Sequence, residues 1–323
     1  MVTLVTGASG FVGSLLVPRL LDAGHSVRTF GRDPRRVRES LAPYVDLDAG
    51  DVELARGDAL MGEGLDRALA GVDVAYYLIH SMESPPAASV PFSERDRVAA
   101  ENFAAAAARA GIARIVYLGG LMPPAPAARA GNGPRPSRHL ASRAEVERIL
   151  LDAVADSVAL RASIVIGARS RSFRLLVRLV ERMPVLTLPA WRGYRTRPID
   201  QRDVIAMLLS AANAPVGGHT LDIGGPQILT YGEMLTRIAD LLLIRRPAIG
   251  LGVTMTPVAG RIAAAIAGED PALVLPLMEG LAGDLLPADD SAAELLGVHL
   301  HSFDSAVERA FAEWEEHEPL AAR

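Results

Sequence analysis

The stretch TGASGFVG, residues 6–13, follows the β-branched run VTLVT and leads into the helical pattern FVGSLLVPRLLDAG. Gly7, Gly10 and Gly13 recur at every third position. Glycine permits a tight turn and lets the backbone come close to a pyrophosphate, whose charge then rests on the N-terminus of the following helix. A glycine triplet alone is weak evidence. Set between a strand and a helix at the start of a chain, it points to a dinucleotide.

The pattern continues outward from that turn. HSVRTF (25–30) reads as a second strand, VDVAYYLI (72–79) as a third and ARIVYLGG (113–120) as a fourth, with the alanine-rich helix RDRVAAENFAAAAARAG before the fourth. SVALRASIVIG (157–167) and GHTLDIGG (218–225) complete the series. Strands alternating with helices on short connections predict an α/β fold, a doubly wound parallel sheet of the Rossmann kind. Pro18 inside the first helix predicts a kink. Residues 168–198 and those after Gly225 break the rhythm and read as apolar and helical. The expected division is therefore a dinucleotide-binding domain over 1–167 plus 199–225, and a smaller, mostly helical substrate or lid domain over 168–198 plus 226–318. The stretch 121–138, with five prolines, reads as an extended loop.

Composition removes several chemistries. The 323 residues contain no cysteine, which excludes disulfides, thiolate nucleophiles and cysteine metal sites, and no metal site is expected. All 33 basic residues are arginine, so no Schiff base, lysine general base or P-loop lysine exists. The formal charge of -5 argues against nucleic acid. Residues 247–268 are long enough to span a bilayer but contain Arg261 and several Gly and Pro, so no integral span is expected, and residues 247–283 are read as capping a pocket. With no signal-peptide pattern at its start, the chain is expected to be cytoplasmic. Homo-oligomerisation stays open.

The motifs TGASGFVG, GHSVRTFGRDP, YYLIHSM, NFAAAAARAGIARIVYLGGL, LRASIVIG, RPIDQRDV and LDIGGPQILTYGEML together resemble the extended and atypical short-chain dehydrogenase/reductases. Within these the chain is similar to the NAD(P)-binding NmrA-like and YbjT-like group. The resemblance implies cofactor contacts from Gly7, Ser9, Gly10, Phe11, Val12 and Gly13 in the turn. It places Asp58, followed by Ala59, as the acid that accepts a hydrogen bond from the adenine amino group. Ile79, His80 and Ser81 would lie along the cofactor, although His80 reads equally well as a structural histidine. Where NAD-preferring relatives carry an acid at the end of the second strand, this chain has Gly31 and then Arg32, with Arg35 and Arg36 close behind. Guanidinium groups suit a 2′-phosphate, so NADP(H) is expected over NAD(H). Asp33 is a competing carboxylate, and a solvated charged turn is the plainer alternative.

The family's usual chemistry is missing. Gly119 and Gly120 stand where the catalytic serine would fall, and the Tyr-x-x-x-Lys position reads His139-x-x-x-Arg143. If a helix begins near Ser137, these two share a face, with His139 as a candidate proton donor and Arg143 as a candidate ribose contact. SRAE (142–145) also reads as a capping box, which would start the helix later and leave His139 on the loop. Three functions follow: an NADP(H)-dependent oxidoreductase acting on a small apolar carbonyl or enone, a non-catalytic NADPH-binding sensor or assembly module, and a redox-neutral enzyme keeping the cofactor as scaffold.

Overall fold

A computed structural model describes residues 1–47, 49–80, 90–123, 137–250, 264–266 and 283–320. Strands β1 (Val2–Thr6), β2 (Ser26–Gly31), β3 (Val52–Arg56), β4 (Val74–Tyr77), β5 (Arg114–Gly120) and β6 (Val158–Ala162) join Thr220–Ile223 in one sheet. The spatial order is Thr220–Ile223, β6, β5, β4, β1, β2, β3, and every pairing is parallel. The order therefore reverses between β1 and β4, the switch point at which the carboxyl ends of such a sheet open a crevice. Helix α1 (Phe11–Asp22) covers one face and α4 (Phe92–Ala110) and α5 (Arg138–Ala153) the other, after α2 (Pro34–Leu41) and α3 (Leu65–Leu69). Runs such as VAYY in β4 are buried at every position, as a strand covered on both faces requires.

Two details depart from the sequence reading. The third strand in the chain is Val52–Arg56, which the pattern did not mark, because an edge strand with mixed burial carries no apolar run. SVALRASIVIG is two strands: the chain leaves the main sheet after Ala162, and Val165–Ile166 pairs instead with Ile199–Asp200. Helix α1 accommodates Pro18 within its length and buries Leu16, Val17 and Leu20 on its inner side.

A second lobe has its own core. Phe173, Leu176 and Val180 of α6 (Arg171–Arg182) pack with Met234 and Ile238 of the helix Tyr231–Leu241, and with Phe311 and Trp314 of the helix Phe303–Glu315. It is not purely helical: Leu186–Leu188 pairs with Ala248–Gly250, and Arg195–Thr196 with Leu229–Thr230. Pairs of two or three residues leave no periodicity to read. The short helix Ser291–Leu295 packs through Ala292 on the main sheet's core, not on this lobe. Of residues 247–283 only 247–250, 264–266 and 283 are described, so the expected cap lies almost wholly outside the described residues. Among the described residues no helix is long and apolar enough to cross a membrane.

Candidate functional site

The crevice at the switch point is a cleft of about 1030 Å³. It collects almost the whole set of residues singled out in the sequence: Gly7, Ser9, Gly10, Phe11, Val12, Gly13, Arg32, Asp58, Ala59, Ile79, His80, His139 and Arg143 all line it. Ser81 lies outside the described residues.

Each glycine of the turn has a different reason. Gly7 has φ +70°, and a Cβ there would lie 2.7 Å from the Leu78 carbonyl oxygen. At Gly13 a Cβ would meet the Gly7 carbonyl oxygen at 2.4 Å, so the first and third glycines are demanded by the protein's own packing. Gly10 is constrained much less, with one neighbour at 3.1 Å, and it borders the cleft. It is also the N-cap of α1, with no side-chain cap and no acid in the first turn, so the N–H groups there remain free for an anion.

At the end of β2, Arg32 and Arg36 are exposed, line the cleft, and form no ion pair among the described residues. Asp33, the competing acid, caps α2 by accepting from the Arg35 N–H at 3.0 Å and lies 3.8 Å from the Arg35 guanidinium. Asp58 Oδ1 accepts from the Leu60 N–H at 2.9 Å, which fixes the carboxylate at the cleft wall beside Gly31.

The opposite end decides the chemistry. Helix α5 begins at Arg138 with Ser137 as its N-cap, whose hydroxyl accepts from the Leu140 N–H at 3.3 Å. The later start is thereby overturned. Ser142 is buried mid-helix, with its hydroxyl 3.4 Å from Asp96. His139 therefore stands in the first helical turn, on the cleft. Arg143 folds back: its guanidinium donates to the Leu118 carbonyl and lies 5.5 Å over the Tyr117 ring, while the Tyr117 hydroxyl donates to the Arg143 carbonyl at 3.2 Å. A Cβ at Gly120 would come within 2.9 Å of Leu140 and 3.6 Å of Arg143, so these two side chains fill the room a serine would need.

Burial pushes His139 down to about 3, assisted by the charges of Arg143 and His80. His80 is crowded by protein atoms although its edge is open to the cleft, and desolvation, then Arg143 and Arg171, bring it down to about 4. Both imidazoles are thus neutral at pH 7, each able to donate one hydrogen bond. Among the described residues, the one tyrosine bordering the cleft is Tyr231, whose hydroxyl is buried beside Thr196 and pushed up to about 12 by burial.

Sequence reasoning missed the walls of the second lobe. Ile164, Leu175, Leu176, Leu179, Trp191 and Leu285 give the cleft an apolar end, and Arg169 and Arg171 line it as well. Residues 168–198 read as apolar and helical, but nothing in that reading announced a cavity against α6.

Comparison with known proteins agrees with this geometry. Residues 7–163 match the family model described as NAD(P)H-binding. Residues 7–163 are thus similar to NAD(P)H-binding domains, and the curated proteins that match over parts of the chain include hydroxysteroid dehydrogenases and dihydroflavonol reductases. The chain is 38% identical over 120 residues to a 3 beta-hydroxysteroid dehydrogenase/Delta 5-->4-isomerase of Mycobacterium tuberculosis, a stretch covering 35% of this chain and 30% of that protein. Over 247 residues it is 25% identical to subunit 9 of the NADH dehydrogenase [ubiquinone] 1 alpha subcomplex, mitochondrial, of Arabidopsis thaliana, covering 75% of this chain and 58% of the other. UDP-glucuronic acid 4-epimerase from Bacillus cereus, solved in complex with NAD, shares the fold at a TM-score of 0.71 and 16% identity, over 98% of this chain and 97% of that one.

Proposed function

We propose that this protein is an NADP(H)-dependent oxidoreductase acting on a small apolar carbonyl or enone without the usual tyrosine–lysine pair. The observation that carries the reading is one cleft whose three regions suit one dinucleotide and one apolar molecule. Among the described residues Arg32 and Arg36 have no acid partner and stand where a 2′-phosphate needs them, and the uncapped start of α1 at Gly10 suits a pyrophosphate. The apolar wall from Ile164 to Trp191 adjoins the His139 end. The donor set fits the cofactor: backbone N–H groups, guanidinium forks and one fixed carboxylate, Asp58, for an adenine amino group.

When bound, a nicotinamide dinucleotide supplies or accepts hydride. The chain's own residues do the rest. Neutral His139 donates a hydrogen bond to the substrate oxygen and passes that N–H proton to it as the oxygen becomes basic, while its other ring nitrogen takes up a proton from water, so that the imidazole stays neutral. Arg143, held by the Leu118 carbonyl, keeps a positive charge beside that oxygen but cannot relay a proton. The leucines of α6 exclude water.

A second reading rests on a specific observation. Arg143 is partly spent on the Leu118 carbonyl, the serine's room is filled, and the similarity to a subunit of a large complex extends over 75% of the chain. A nucleotide-holding module without turnover would have these features. The experiment that separates the two passes purified protein with NADPH through gel filtration and then offers carbonyls and enones. Retained NADPH that a substrate oxidises supports the enzyme. Retained NADPH that nothing oxidises across a broad panel supports the module.

A further inference from the structure

The cleft holds a cation that neither the glycine motif nor the resemblance assigns. We propose that Arg169 binds the cofactor's pyrophosphate, reaching it from the second lobe's side of the cleft. This rests on the reading that the cleft takes a dinucleotide.

Arg169 lies on the turn between Ile166 and α6 and crosses to α1. Its Nη1 donates to Ser14 Oγ at 2.9 Å, and that hydroxyl donates onward to the Phe11 carbonyl at 3.2 Å. Ser14 is fully buried, so the arginine is anchored on the first turn of the helix whose N-terminus is uncapped. The turn that carries it is fixed: the Ser170 N–H donates to the Gly167 carbonyl at 3.0 Å. Gly167 is packed so closely that a Cβ would lie 2.8 Å from the Phe11 ring.

What remains is charge. Arg174 and Arg178, further along the same segment, pair with Glu318, and Arg178 also with Glu181. Arg169 is exposed to the cleft, forms no ion pair among the described residues, and uses one N–H of its five on Ser14. The start of a helix offers about half a positive charge, whereas a dinucleotide's pyrophosphate brings two negative ones. This guanidinium is fastened to the very turn that receives the anion, with donors left over for bidentate contact.

The test measures binding and folding, not turnover. Arg169→Ala and Arg169→Gln are titrated by calorimetry with NADPH, with ADP-ribose (a pyrophosphate without a 2′-phosphate) and with 2′-AMP (a 2′-phosphate without a pyrophosphate). Both variants are expected to lose about 10- to 100-fold in affinity for NADPH and ADP-ribose, with 2′-AMP unchanged. Arg169→Gln retains a donor for Ser14 and is expected to melt within a degree or so of the native protein, which separates lost charge from lost scaffolding. Affinities that do not change, or that fall equally for all three probes, would overturn the role of Arg169. Failure of the native protein to bind any probe would instead remove the dinucleotide reading itself.

Discussion

At the scale of single residues, the chemistry proposed for the cleft turns on two histidines. If His139 is the proton donor, His139→Phe should cost about a hundredfold in rate, the usual scale for a positioned acid, with NADPH affinity unchanged. Full activity in that variant would mean that the proton comes from water or substrate. The same residues carry a stability signature. The folded values of His80 and His139, about 4 and about 3, lie below the ordinary 6.5, so the unfolded chain binds more protons in the interval between. Their contribution is complete above about pH 6.5 and is lost as the pH falls toward those folded values. The melting temperature of the native protein should therefore drop between pH 7.5 and pH 5 by more than that of the double variant His80→Phe/His139→Phe. An equal or smaller drop in the native protein would contradict the desolvated, neutral imidazoles.

At the scale of elements, the glycine turn separates packing from binding. Gly13→Val puts side-chain atoms into the Gly7 carbonyl, so it should unfold or strongly destabilise the domain. Gly10→Val meets one backbone oxygen at 3.1 Å and should leave a folded protein that has lost cofactor affinity. Circular dichroism and NADPH titration read the two outcomes; a folded Gly10→Val protein with normal binding would refute the role of the turn. This element was legible because its meaning is local: strand, turn and helix occupy one continuous stretch. The start of α5 was legible only as two alternatives, because Ser137 and Ser142 both suit a cap. What decided between them was Asp96, 46 residues away, against which Ser142 is buried. Strand β3 was invisible for a related reason, since VELAR lies at the sheet edge and never shows the apolar run of a buried strand.

At the scale of the whole molecule, long-range contacts that no sequence spacing shows tie the parts together. Arg114, at the start of β5, donates to Asp156 at 2.5 and 2.8 Å and to the carbonyls of Ala211 and Ala214 at 2.7 and 2.8 Å. Its side chain is 8% exposed, so Arg114→Met should cost about 2–3 kcal/mol in urea unfolding by stranding those carbonyls. A change below about 0.5 kcal/mol, the scale of an ordinary surface substitution, would show the network to be incidental. The apolar end of the cleft has the same origin, for it exists only where α6 and the 3₁₀ turn Ala190–Gly193 come against the sheet's mouth. On the proposed reading this cleft binds a dinucleotide and prefers the 2′-phosphorylated form, and calorimetric titration of the native protein with NADPH and NADH measures both. The account predicts NADPH binding at least tenfold tighter, a preference that Arg32→Ala abolishes; equal affinities, or no binding of either, would contradict it.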